Sequence, residues 1–371
     1  MQLFINLVIL ILICSASLSR AALLGASPLD LLVGPEFTFT NDNLILLEQE
    51  HDPQEINFRA KLKYDWLIAI EDKIQKKYQQ SCPDCQRDKF TNQIKLPNGN
   101  FFEIIMDPMV LEVIVSPMTL EQYQEMRDLL QDLIFNTAAE LKLKPHIRIG
   151  GGHIHLDVTS HFKNKHLLLR NFIVDSMNHP ELYMGPLNLD LLNAPPLAVL
   201  DPEIQSHFRK ELKLWDNKYY SDSEFVQIMR EEVYKKTFVD TYPHVQRHAS
   251  KYQLINFDHW PNTLELRGFR PQKDIDHFIR NVKMIEERLK YLSQFTKPIP
   301  LRFNNYHQQV KWGSHKFIEF YSVDISYDDS VRKLKKYLEE MGLSWEEYQQ
   351  DLDYQSMTFG HTAPLCRAVF R

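Results

Sequence analysis

The run Gly150-Gly-Gly-His-Ile-His-Leu-Asp157 constrains this chain more than any other stretch. His153 and His155 stand two residues apart, so in a strand both side chains leave on one face while Ile154 and Leu156 leave on the other. The three glycines beside them leave room for a metal or a phosphate. Three more segments share the alternation: Gly34-Pro-Glu-Phe-Thr-Phe39, Leu111-Glu-Val-Ile-Val-Ser-Pro117 and Thr263-Leu-Glu-Leu-Arg267. Each sets a glutamate among apolar neighbours, so an open sheet could aim Glu36, Glu112, His153, His155 and Glu265 into one concave face. An unpaired carboxylate is costly to bury. Glu36 and Glu265 therefore need either a metal ion or a salt bridge, and Arg267 is placed to supply the bridge to Glu265. Glu112 can also simply end its strand at the surface. Arg148 and Arg270 flank the same motifs and read as solvated surface charge, with binding of a substrate carboxylate as the alternative.

Charge narrows the partners. The formal net charge is −6, from 43 basic and 49 acidic residues that are interspersed along the chain. No basic stripe points to nucleic acid. An apolar share of 44% with 25% charged residues is that of a globular protein, and 371 residues hold one large domain or two. The N-terminus departs from this. Leu3 to Ile13 is aliphatic except for Asn6, and Ser19-Arg-Ala21 offers a small-residue cleavage site. Residues 1–21 read as a signal peptide, although no Lys or Arg precedes the apolar run. The apolar span is short for a membrane-crossing helix. Export to the periplasm or the medium is expected, with a retained membrane anchor as the alternative. In an exported protein Cys82 and Cys85 read as a local disulfide rather than half a zinc site, and Cys366 is left unpaired.

Periodicity supplies the rest. Leu31 to Phe39 reads as a strand followed by a turn at Asn41-Asp-Asn43. Phe58, Leu62, Trp66, Ile70, Ile74 and Tyr78 keep helical spacing. Strands are expected over 101–106 and 110–115. Thr119 and Gln122 form a capping box that opens a helix whose stripe is Leu120, Tyr123, Met126, Leu130, Leu133, Ile134 and Leu141. A strand is expected over 147–158 and a helix over 166–179. An irregular stretch follows over 181–201, then two polar helices. Strands over 252–257 and 263–269 should flank a turn at His259-Trp-Pro-Asn262. A long helix spans 274–295, another spans 331–341 and ends at Gly342, and Ser344 with Glu347 offers a second capping box. Strands and helices in unequal runs argue an α+β fold with a largely antiparallel sheet, and no linker splits it.

Taken in order, four segments resemble the amidoligase family of carboxylate–amine ligases, relatives of glutamine synthetase and glutamate–cysteine ligase. They are Gly34-Pro-Glu-Phe-Thr38, Glu112-Val-Ile-Val-Ser-Pro117, Gly151-Gly-His-Ile-His155 and Glu265-Leu-Arg267. The resemblance runs over about residues 33 to 290. It implies a mostly antiparallel curved sheet of the glutamine synthetase type, flanked by helices. Residues 30–300 would be the catalytic domain, with 301–371 an extension packed on it. It implies ATP and Mg²⁺ as cofactors, with Glu36, Glu112, His153 and Glu265 as metal ligands. His155 and Arg267 would be the catalytic residues that meet the nucleotide phosphates. The substrate would be a small molecule or peptide offering a carboxylate and an amine, joined through an acyl phosphate.

One position departs from the family pattern. Thr38 stands where a second strand-one glutamate belongs, which would leave only one metal site intact. Replacing Thr38 with Glu is then expected to strengthen Mg²⁺ binding. An exported ATP-dependent enzyme is also awkward, because ATP is scarce outside the cytoplasm. Two other readings stay open: a catalytically altered binding protein on the same sheet, and a zinc-dependent hydrolase using His153 and His155.

Overall fold

A computed structural model describes residues 31–46, 53–77, 87–88, 93–95, 99–107, 110–146, 150–179, 202–234, 254–302, 308–310, 321–323 and 327–351. The leader, Cys82, Cys85, Cys366, Arg148 and the 181–201 stretch lie outside them. Residues Leu31–Arg371 form one compact unit.

Eight strands make one open sheet: β1 (Val33–Phe39), β2 (Arg87–Asp88), β3 (Gln93–Lys95), β4 (Phe101–Asp107), β5 (Val110–Val115), β6 (Ile154–Asp157), β7 (Ile255–Asn256) and β8 (Thr263–Leu266). Their order is β2-β3-β4-β5-β1-β6-β8-β7, and every adjacent pair is antiparallel. Because β1 is antiparallel to both neighbours, β5 and β6 run parallel to each other. The helical stretch between them carries the chain across β1. Pro35 sits in this central strand without breaking a ladder. Glu36 N donates to His153 O, so position 35 turns toward β5, and the β1–β5 register begins only at Glu36↔Ile114.

Alternation sorts the two faces. Phe37, Phe39, Phe102, Ile104, Leu111, Val113, Ile154, Leu156, Leu264 and Leu266 fill one face and are at most 1% exposed. Helices cover that side. Phe37 meets Phe135 and Phe278 edge-on, with ring centroids 5.1 and 5.2 Å apart, and Phe39 meets Trp66 at 5.1 Å. Trp66 comes from the helix Pro53–Lys77, where Leu62, Ile70 and Ile74 also turn inward. That helix starts earlier than its apolar stripe, because Pro53 suits a first helical position. Phe278 comes from Ile275–Ser293, capped by Asp274.

Several elements differ from expectation for local reasons. Asn41 does not make a turn: its side chain accepts from Leu44 N at 2.9 Å and starts the helix Asp42–Leu46. The Thr119 capping box forms. Its helix then passes through a π-helical turn, Gln131–Asn136, which resets the phase. Phe135 and Ala138 become buried, while Leu141 is only half-buried. The histidine strand is shorter than its alternation, since Asp157 accepts from Ser160 N and opens the helix Val158–His161. Ser344 does not close its box; its hydroxyl bonds Glu346 instead.

The helices Pro202–Asp216 and Asp222–Ile228 are less polar than they read, because Phe208, Trp215 and Phe225 are fully buried. The helix Tyr327–Glu340 and residue Asp351 attach through ion pairs. Arg288 binds Asp175 and Glu340, and Arg280 makes a two-pronged contact with Asp351. Among the described residues no helix is long and apolar enough to cross a membrane.

Candidate metal centre

Register alone brings the sequence-predicted residues onto the second face. Residues directly opposed in an antiparallel pair share a face. Thr38 opposes Glu112, Gly34 opposes His155, and Glu265 opposes both His155 and Asn256. Since Glu36 is two residues from both Gly34 and Thr38, it joins the same face. His153 lies just before β6 and is held in the ladder by its carbonyl, which accepts from Glu36 N. Arg267 follows β8 and donates its N–H to Leu254 O.

The side chains converge. Glu36 divides its carboxylate between the two imidazoles: Oε2 is 2.9 Å from His153 Nδ1 and Oε1 is 2.9 Å from His155 Nε2. His153 Nδ1 also lies 3.2 Å from Glu265 Oε1. Glu265 accepts from Arg267 and, at 2.6 Å, from Asn256 Nδ2. His155 Nδ1 is 3.2 Å from Thr263 Oγ1. Two overlapping ligand sets result, Glu36–His155–Glu265 and Glu36–Glu112–His153. In each, one donor atom per residue lies within 4.8 Å of the others. Glu36 is common to both.

The electrostatics favour a cation. Burial pushes the Glu112 carboxyl up to about 8, reinforced by Glu36, Asp107 and Glu265 and only partly offset by Arg267. Burial also opposes ionisation of Glu36, but hydrogen bonds to His153 and His155 win and hold it far below the usual range. Glu265 is likewise lowered, with Arg267 and the two histidines outweighing burial. Burial opposes protonation of His155, but the hydrogen bond to Glu36 and the charges of Glu36 and Glu265 together outweigh it, so His155 is raised. Among the described residues, three carboxyl groups thus meet one guanidinium and two imidazoles, and Glu112 keeps its proton until about pH 8. The carboxyl of Glu112, a residue 8% exposed, makes no hydrogen bond among the described residues. Carboxylate oxygens with one imidazole in each set suit a divalent cation such as Mg²⁺ or Mn²⁺, with imidazole shifting preference toward the softer ion. The donor set fits a metal.

The glycines do not leave the room that the sequence implied. A Cβ on Gly151 would stand 2.3 Å from His153 Nε2, and one on Gly152 would stand 2.3 Å from Arg270 O and from Gln272 Nε2. Gly150, at φ +81°, would place its Cβ 2.5 Å from Thr38 Oγ1. Among the described residues the run packs closely against Thr38, His153, Arg270 and Gln272. Thr38 is 2% exposed and donates its hydroxyl to Gly151 O at 2.8 Å. A glutamate at position 38 would have to displace the packing against Gly150 and the bond to Gly151 before it could reach a metal. Arg270 is buried at 7% exposure rather than solvated.

Sequence reasoning missed Asn256, Thr263 and His259 as neighbours of the site. Asn256 carried a usable signal, a lone polar residue between Ile255 and Phe257 in a strand. His259 sits in the β7–β8 turn, where the Trp260–Pro261 bond is cis, and its ring lies 5.3 Å from that of His155. Nothing local predicts that approach.

No family model matches the chain, and no curated protein matches it either. Among solved structures, GmaS without ligand is similar at a TM-score of 0.39 and 11% identity, over 89% of this chain and 72% of that one. At that distance the likeness carries no argument about chemistry.

Proposed function

We propose that this chain is an ATP- and divalent-cation-dependent ligase that joins the carboxylate of an amino acid or peptide to an amine through an acyl phosphate. The observation that carries the reading is the convergence of Glu36, Glu112, His153, His155 and Glu265 on one sheet face. They come from the four segments, in the order that the family resemblance requires. The curved glutamine synthetase type of sheet, the catalytic span 30–300 and the packed extension 301–371 belong to the same proposal.

In this reading Glu36 would belong to two cation positions, one that Glu112 and His153 would help hold and one that His155 and Glu265 would help hold. Bound divalent ions supply positive charge to phosphate oxygens. Arg267, its side chain 12% exposed, adds a fixed positive charge beside Glu265 and would meet developing phosphoryl charge. Asn256 and Arg267 together hold Glu265 in place. We assign His155 to a cation ahead of the phosphate contact that the resemblance implies, because Glu36 engages its Nε2. His153 and His155 fall into different ligand sets, which counts against a single zinc held by both.

The test is calorimetric titration of the leaderless protein with Mg²⁺-ATP and Mn²⁺-ATP, followed by assay of ADP release with pooled amino acids. Turnover is the expected result. Binding without turnover would turn the reading into an altered binding protein, for which the loss of a carboxylate at Thr38 already argues. Zn²⁺ retained through chelation would favour the hydrolase. Export through residues 1–21 is part of the proposal, with a retained membrane anchor as its alternative. An intact Met1 in the soluble fraction, found by mass spectrometry, would count against cleavage.

A further inference from the structure

We propose that Thr38 is a positioning residue for His153, acting through the glycine run rather than as a metal ligand. The inference rests on the reading of the cluster as a divalent-cation site. Thr38 lies on the site face of β1, two residues from Glu36 and opposite Glu112, where a ligand would be useful. Its hydroxyl hydrogen is committed, donated to Gly151 O across 113 residues of chain, and this bond fixes where the hydroxyl points. A neutral hydroxyl held this way contributes direction and no charge.

The contacts form a chain of constraint. Gly150 presses its backbone onto Thr38, so closely that any Cβ there would overlap both Oγ1 and Cβ of the threonine, at 2.5 and 2.8 Å. Gly151, tethered by the hydroxyl, forms the wall against which the His153 ring lies. That ring is 6% exposed, and its Nε2 has no hydrogen-bond partner among the described residues. On its far nitrogen this buried imidazole has only packing to orient it, so the position of Gly151 limits how the ring can turn about its Nδ1 contact with Glu36. The near nitrogen, Nδ1, then points at Glu36 and Glu265. Gly152 is clamped from the opposite side, its N–H donating to Phe269 O and its carbonyl accepting from Gln272 Nε2 at 3.1 Å. Thr38 therefore substitutes for the partner that usually orients a ligating histidine through its other nitrogen.

The experiment is Mn²⁺ titration of the full chain, read by electron paramagnetic resonance, for wild type, Thr38→Val, Thr38→Ser and Thr38→Glu. Loss of an orienting partner typically weakens a metal by ~10–100-fold. Thr38→Val is expected to weaken one class of Mn²⁺ site by that factor and to change its signal, while Thr38→Ser restores both. Thr38→Glu is expected to weaken Mn²⁺ binding, since the carboxylate would displace Gly150. If Thr38→Val does not fold, Thr38→Ala compared with Thr38→Ser makes the same test. Equal affinity and signal in Thr38→Val, or a gain of affinity in Thr38→Glu, would overturn the inference while leaving the metal site standing. A wild type that binds neither Mn²⁺ nor Mg²⁺ would instead remove the functional reading on which it rests.

Discussion

The two faces of the sheet are built on opposite physical terms. The face under the helices buries Phe37, Phe39, Leu111, Val113, Ile154 and Leu156 against aromatic partners, with almost nothing exposed. The other face gathers Glu36, Glu112 and Glu265 around His153, His155 and the guanidinium of Arg267. Burial of apolar area stabilises the first face, roughly 1.5–3 kcal/mol for each large side chain. On the second face burial works against the carboxyl groups: His153, His155 and Arg267 offset it for Glu36 and Glu265, while Glu112 is left with a raised pKa. One strand serves both purposes: in β1, odd positions hold the fold together and even positions hold the site.

That contrast can be broken from either side. The largest effect on stability is expected from Phe37→Ala, which should cost ~3–5 kcal/mol as a core truncation. Urea unfolding monitored by circular dichroism measures it, and a loss under about 1 kcal/mol would mean that the helix layer does not depend on this contact. Glu36→Gln, one residue away, should leave unfolding much less affected yet weaken Mn²⁺ or Mg²⁺ by at least ~100-fold, since the residue belongs to both ligand sets. Silent binding in Glu36→Gln would make the cluster a salt-bridge network.

The next effect is one of pH. Glu112 is raised from an ordinary 4.5 to about 8 in the folded protein, so the folded state holds its proton more tightly than the unfolded state. In the metal-free protein that contribution is present below about 4.5 and is lost as pH rises toward 8. Glu36 acts in the other direction: its depressed carboxyl contributes stability above its ordinary value, lost as pH falls further. Chelated protein should therefore lose stability between about pH 5 and 8, and Glu112→Gln should flatten that slope. Saturating Mn²⁺ should reverse it, because the bound ion favours ionised Glu112. Thermal melts across this range would refute the account if chelated wild type and Glu112→Gln ran parallel. The smallest effect is expected from Asn256→Ala, which removes one donor from Glu265 and should weaken Mn²⁺ by ~10-fold. An unchanged titration curve would show that Arg267 alone holds the carboxylate.

Much of this arrangement is legible in the amino-acid pattern. The alternation in Glu36–Thr38, Glu112–Ile114, His153–His155 and Glu265–Arg267 announces a shared face, because a strand sends every second side chain the same way. The Thr119 capping box and the stripe through Leu62, Trp66, Ile70 and Ile74 are local signals, and both appear as read. The failures are local rules overridden by packing. Ser344 found Glu346 before Glu347, and the π-turn at Gln131–Asn136 rotated the buried stripe onto Phe135.

What the sequence determined by itself is therefore the set of residues available to the site, because spacing along one segment decides which side chains leave together. Tertiary structure decided how they are used. Only the strand order places β1 between β5 and β6, and only that neighbourhood gives Glu36 a histidine for each of its oxygens. Only close packing shows that the space beside the glycines belongs to Thr38, His153 and Gln272, and that Thr38 is bonded rather than vacant for a metal. The physical reason is range. Alternation is a property of neighbouring residues, whereas a hydrogen bond between positions 38 and 151 exists only after the sheet has chosen its register.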